Sequence, residues 1–206
     1  MPPYIDASQV AARAARRLSL PATAHALGPV DLEIGAKAGG GTNPGGTGGA
    51  NPLSFGVGAR AGASLFGWYA GLTFVDYLGR TQTDCGPGFG GPCETIAGHS
   101  LAYGVELGYG YRLGRVTLRP QVGVGDLEIH QTVSPGGRNI APGTDDLYFE
   151  PGLVVLVALG FVYVGADANL MLLPFGPSNA FDSATGKPAT AVDPVFTAHG
   201  QVGVRF

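Results

Sequence analysis

Charge is scarce in this 206-residue chain: Asp, Glu, Lys and Arg make up 13% of it, about half the share of an ordinary soluble domain. A soluble barrel needs roughly 25–35% charged residues on its exterior, and so few cannot cover one. The net charge of -3 provides no electrostatic footprint for nucleic acid. Long apolar runs are missing too, because a membrane-crossing helix needs about eighteen such residues. The nearest, "LVVLVALGFVYVGA" from Leu153 to Ala166, stops at Asp167. Rich in valine and interrupted by Gly160, it reads as two strands joined by a tight turn. A helical-bundle membrane protein is therefore disfavoured.

Cysteine is nearly absent. The chain has 2, Cys85 and Cys93, in "CGPGFGGPC". A metal would need further Cys or His ligands at suitable spacing, and none are near, so no metal and no cofactor is expected. The Gly- and Pro-rich spacer lets the sulfurs meet, and the expectation is a disulfide across a loop in an oxidising compartment. Two reduced thiols in that loop are the alternative.

Glycine is abundant, at 36 residues, more than double the average share. Alternation with period two runs through most of the chain. Val30, Leu32, Ile34, Ala36 and Ala38 share one face, with Asp31, Glu33 and Lys37 on the other. In "LSFGVGARAGASL" the apolar face holds Leu53, Phe55, Val57, Ala59, Ala61 and Ala63. "WYAGLTFVDYL", "LAYGVELGYGYRL", "VTLRPQVGVGDLEI", "DLYFEPGLVVLV", "FVYVGADANLMLL" and "PVFTAHGQVGVRF" follow. These are eight strands of about the length a tilted membrane strand requires. Long connections at 39–52, 79–98, 131–144 and 174–194 alternate with short ones near Phe66, Gly114 and Gly160. In an antiparallel up-and-down sheet, that order puts all long loops at one end and all short turns at the other. Aromatic residues also fall at two levels. Phe66, Trp68, Tyr109, Tyr111, Phe161 and Phe206 lie toward the short turns, and Tyr77, Phe149, Phe175 and Phe196 toward the long loops. Two such belts match the two lipid–water interfaces.

The expected fold is all-β: an eight-stranded antiparallel transmembrane barrel over residues 29–206, with its apolar face outward. Its lumen would receive Glu33, Lys37, Arg60, Glu106, Arg119, Gln121, Glu150, Asp167, Asn169, His199, Gln201 and Arg205. Charges in a narrow lumen need partners, so these residues read as a polar network, with Glu106 and Arg119 expected to pair. Val154 and Leu156 would form an apolar patch near the short-turn end or meet a docked helix. His99, Ser100 and His199 are the only material for a lipid-modifying enzyme, and no spacing ties them to an acid. Eight strands leave a lumen that side chains can fill, so an open solute channel is not expected. A narrow pore or a conduit for a small apolar ligand is the alternative to a structural or surface-interaction role.

At this point the chain resembles the small eight-stranded bacterial outer-membrane barrels typified by the OmpA and OmpX transmembrane domains. The resemblance covers residues 29–206 and rests on architecture. The terminal strand resembles the family's signal for the barrel-assembly machinery, with Phe196, Val202, Val204 and Phe206 at the signal positions. It implies residence in the outer membrane, contact with its lipids, and a monomer whose loops meet an extracellular partner. Residues 1–28 read as a signal remnant, an amphipathic helix opening at Asp6 and Gln9, or a disordered start.

Overall fold

The computed structural model describes residues 30–44, 51–85, 93–134, 138–173, 181–182, 187–188 and 194–206. The N-terminal segment 1–28 lies outside them. Twelve strands are present among the described residues: β1 Val30–Gly41, β2 Gly56–Leu65, β3 Trp68–Tyr77, β4 Thr81–Cys85, β5 Cys93–Tyr109, β6 Tyr111–Leu113, β7 Val116–Ser134, β8 Arg138–Leu159, β9 Val162–Met171, β10 Phe181–Asp182, β11 Lys187–Pro188 and β12 Val195–Arg205. They make an eight-stranded barrel wall, because β4 extends β3 and β6 extends β5. The break before β4 is a bulge. Tyr77 pairs with Ser100 but Thr81 with Ala97, so β3–β4 carries one extra residue there. Gly79 takes it up at φ 63, a left-handed conformation that glycine adopts freely.

All wall pairings are antiparallel, and β1 pairs with β12 to close the barrel. The ladder continues to the last residue, where Leu32 and Phe206 exchange backbone hydrogen bonds of 3.0 Å. The pair β10–β11 forms a separate small hairpin. Two-residue turns join Leu65 to Trp68, Leu113 to Val116 and Leu159 to Val162. Gly114 and Gly160 open the second and third with positive φ, whereas Phe66 does so in the first. Phe66 accepts a left-handed backbone that is sterically unfavourable for a side chain, and its ring stands exposed beside Trp68.

Two expected long connections are largely strand. β4 and β5 occupy much of 79–98, and β7 and β8 run through 131–144 with pairing up to Val133 and Arg138. Backbone groups leaving the wall keep their ladder partners, which favours continued pairing over open loop. Leu53 also departs from its expected place. The strand begins at Gly56, and residues 52–55 bend so that Leu53 is fully buried inside the barrel mouth.

The wall separates two chemistries. Val30, Leu32 and Ile34 of β1, Leu72 and Phe74 of β3, and Val105 and Leu107 of β5 point outward and are exposed, Leu72 to 63%. Such a band suits hydrocarbon and not water. Trp68 stacks edge-on to Tyr109 at 5.3 Å, and Tyr109 to Tyr111 at 4.9 Å, forming an aromatic cluster at the short-turn end. Phe55, Phe74, Tyr103, Phe149 and Phe196 stand exposed toward the other end. Tyr77 does not join them. Sharing its parity with Tyr69, Thr73 and Val75, it points into the barrel. Phe175 lies outside the described residues.

An outward charge in the middle of the band should be costly. Leu72→Arg is expected to destabilise the barrel by about 2–4 kcal/mol, the penalty for arginine at a bilayer midplane. Urea unfolding in phospholipid vesicles measures it, and an unchanged midpoint would contradict a lipid-facing exterior.

Candidate functional site

Strand parity delivers all the lumen candidates to the interior, where Glu33, Arg60, Glu106 and Arg119 are each 1% exposed. The lumen contacts form four levels. Nearest the short turns, Arg112 of β6 pairs with Asp31 of β1 across the lumen opening. Just above, Glu33 Oε1 accepts from Arg119 Nη2 at 2.6 Å and Arg205 Nη2 at 2.7 Å. The Arg119 guanidinium lies 3.9 Å from the Tyr69 ring centroid, and that of Arg60 at 4.9 Å. A cation over an aromatic face is attracted by the ring quadrupole.

At mid-height, Arg60 Nη2 meets Glu106 Oε2 at 2.8 Å, and Lys37 Nζ lies 3.7 Å from Glu106 and 3.3 Å from Asp167. Arg60 Nη1 donates to Gln201 Oε1 at 3.1 Å, and Gln121 Oε1 lies 3.5 Å from Arg60 Nη2. Toward the long loops, Asp167 gathers His199 Nδ1 at 2.8 Å, Asn169 Nδ2 at 2.9 Å and Gln201 Nε2 at 3.1 Å. Tyr77 and His199 Nε2 share a 2.9 Å hydrogen bond, and Thr197 donates to Glu150 at 2.9 Å.

The expected Glu106–Arg119 pair does not form. The β5–β7 register sets Glu106 against Gly123, four residues from Arg119. At about 3.3 Å per residue, that is beyond side-chain reach, and each charge instead finds its partner across the lumen. Val154 and Leu156 form a buried apolar cluster with Tyr163, placing the apolar patch inside the short-turn half.

A second apolar cluster roofs the network at the other end. It includes Leu53, Val75, Tyr77, Leu127, Tyr148 and Met171. Leu53 is held there by backbone bonds: Gly41 N donates to Leu53 O at 2.6 Å, and Arg80 N to Asn51 O at 2.8 Å. Asn51 Nδ2 donates to Gly41 O, and Ser100 Oγ to Pro52 O, each at 2.8 Å. His99, Ser100 and His199 are not brought together. His99 lies on the outer face 2.7 Å from Asp76, Ser100 is committed to Pro52, and His199 to Tyr77 and Asp167. Cys85 and Cys93 are direct register partners at the top of β4–β5, and the Cys85 side chain lies outside the described residues.

The lumen tyrosines escape a reading that places aromatics in belts. Each covers glycines. Gly62 and Gly71 are register partners beneath Tyr69, and a Cβ on either would lie 2.6 Å from its ring carbons. Gly104 and Gly125 are partners beneath the Tyr148 hydroxyl, with corresponding distances of 2.7 and 2.8 Å. Gly35 and Gly203 are partners beneath Tyr163. The available signal was tyrosine at lumen parity near glycines of the same parity on neighbouring strands.

No family model and no curated protein sequence matches the chain. Solved structures do. A major outer membrane protein from Thermus thermophilus superposes with a TM-score of 0.56 at 14% identity, covering 86% of this chain and 99% of that one. Neisserial surface protein A superposes at 0.52 and 14% identity, covering 86% and 96%. The fold is that of a small outer-membrane barrel. Within this barrel the network is arranged to fill and neutralise the lumen, and the acid shared by two cations at mid-height is a good probe of it. Glu106→Ala strips Lys37 and Arg60 of a shared buried carboxylate. It is expected to cost about 3–5 kcal/mol, as for other broken buried pairs. Thermal loss of the compact, heat-modifiable form measures this, and an unchanged transition would remove the network from the stability of the barrel.

Proposed function

We propose that this chain is a bacterial outer-membrane protein with a structural and surface-interaction role, carried by the part of the wall that rises above the barrel. The short turns face the periplasm, and the long-loop end faces the exterior, as in barrels of this kind. The carrying observation is the unequal height of the strands. β7 has 19 residues and β8 22, against 10 for β2 and for β9. β4, β5, β7 and β8 continue as a sheet beyond the band. β9 first pairs β8 at Gly152, so among the described residues 138–145 pair with β7 alone. An exposed strand edge offers unpaired backbone groups to an extended segment of another protein, with affinity from main-chain hydrogen bonds.

The same reading carries further assignments. Outer-membrane lipids contact the apolar band, and the chain acts as a monomer. Phe196, Val202, Val204 and Phe206 present the terminal strand to the barrel-assembly machinery. A Cys85–Cys93 disulfide closes the tip of β4–β5, as their register supports. A pore or apolar-ligand conduit has less support, because buried side chains and the Leu53 roof occupy the lumen.

Trypsin on intact cells tests this orientation. Cleavage is expected at Arg138, in the tall hairpin, and not at Arg115, in a short turn. Cleavage at Arg115 alone would invert the reading. Intact mass before and after alkylation without reductant tests the disulfide; uptake of label at both cysteines would remove it.

A further inference from the structure

The barrel closes between β1 and β12, which no turn connects, so hairpin geometry cannot set their register. The lipid-facing side of this seam cannot set it either. Its outward partners are Ile34 with Val204, Ala36 with Val202 and Ala38 with Gly200. A slip of two residues keeps every side chain on its own face. It would oppose Ile34 to Val202 and Ala36 to Gly200, or Ile34 to Phe206 and Ala36 to Val204. Small or apolar residues still meet small or apolar residues.

The inner side does discriminate. Gly35 and Gly203 are direct partners across the seam, and the Tyr163 ring from β9 lies over both. A Cβ on Gly203 would sit 2.5 Å from Tyr163 Cζ, and one on Gly35 3.1 Å from the same atom. Slippage would set Gly35 against Gln201 or Arg205 and break up the slot. Ion pairs flank it on both sides: Glu33 with Arg205 at 2.7 Å below, and Lys37 with Asp167 at 3.3 Å above. Each ties β1 to one of the last two wall strands.

We propose that the register of barrel closure is read from inside the lumen, by the Tyr163 ring seated on the Gly35–Gly203 pair between the Glu33–Arg205 and Lys37–Asp167 ion pairs. Tyr163 thus acts as a gauge: β12 docks fully on β1 only where two glycines face each other beneath the ring. An aromatic covering cross-strand glycines is a known way of pinning register.

Disulfide trapping in a Cys85→Ser, Cys93→Ser background tests the gauge. Ala36→Cys with Val202→Cys reports the native register, and Ala36→Cys with Gly200→Cys or Val204→Cys reports slipped ones. The readout is the ratio of slipped to native cross-link in the compact, heat-modifiable form refolded into phospholipid vesicles. Tyr163→Ala is expected to raise it several-fold, and Tyr163→Phe, which keeps the ring, to leave it at the wild-type level. An unchanged ratio in Tyr163→Ala overturns the proposal. Where that variant yields no compact form, Gly35→Ala, whose Cβ would lie 3.1 Å from Tyr163 Cζ in the native register, takes its place: a raised ratio supports the gauge and an unchanged one overturns it.

Discussion

Closing eight strands into a barrel leaves an interior with room for side chains and little else, and the rest of this structure answers that constraint. A charge in such a space cannot keep its hydration shell, and burying it alone would be prohibitive. Glu33, Lys37, Arg60, Glu106, Arg119 and Asp167 therefore occur as interlocked pairs, in which one carboxylate serves two cations and one cation serves two carboxylates. Volume is matched the same way. Large rings lie where opposing glycines leave space, so Tyr69, Tyr148 and Tyr163 fill the lumen without pushing the walls apart.

The separation of inner and outer faces gives different parts of the molecule different freedom. The outer band has only to be apolar, and alanine, valine, leucine and isoleucine serve almost interchangeably along it. Inside, moving a single residue leaves a charge unpaired or a ring in collision. Specificity of structure accordingly lies in the lumen, and affinity for the membrane lies on the exterior.

Leu53 connects the two regimes. Residues 52–55 bend into the mouth, and Leu53 puts an apolar roof over a polar network. Beneath it, the bond between Tyr77 and His199 and the pair of His199 with Asp167 are kept from water. Hydrogen bonds in a low-dielectric interior are stronger for that exclusion and costlier to leave unmade.

Strand parity, loop alternation and the scarcity of charge were all legible in the chain. They sufficed for the fold, for most of the lipid-facing set and for the charged residues that enter the lumen, because a period of two decides which way a strand side chain faces. Pairing within the lumen was not legible. Glu106 and Arg119 look like neighbours along one hairpin, yet a barrel brings opposite walls as close as adjacent ones, and the partners come from strands far apart in sequence. Alternation misassigned Leu53 because the chain bends before the strand starts. The tall β7–β8 hairpin was hidden because polar, glycine-containing segments read as loop until a neighbouring strand supplies their hydrogen bonds. By itself, the sequence determined the face of residues within the regular strands, since that depends only on local backbone geometry. Tertiary structure alone decided who meets whom across the lumen and at the seam, since those contacts exist only once the sheet has curled and closed.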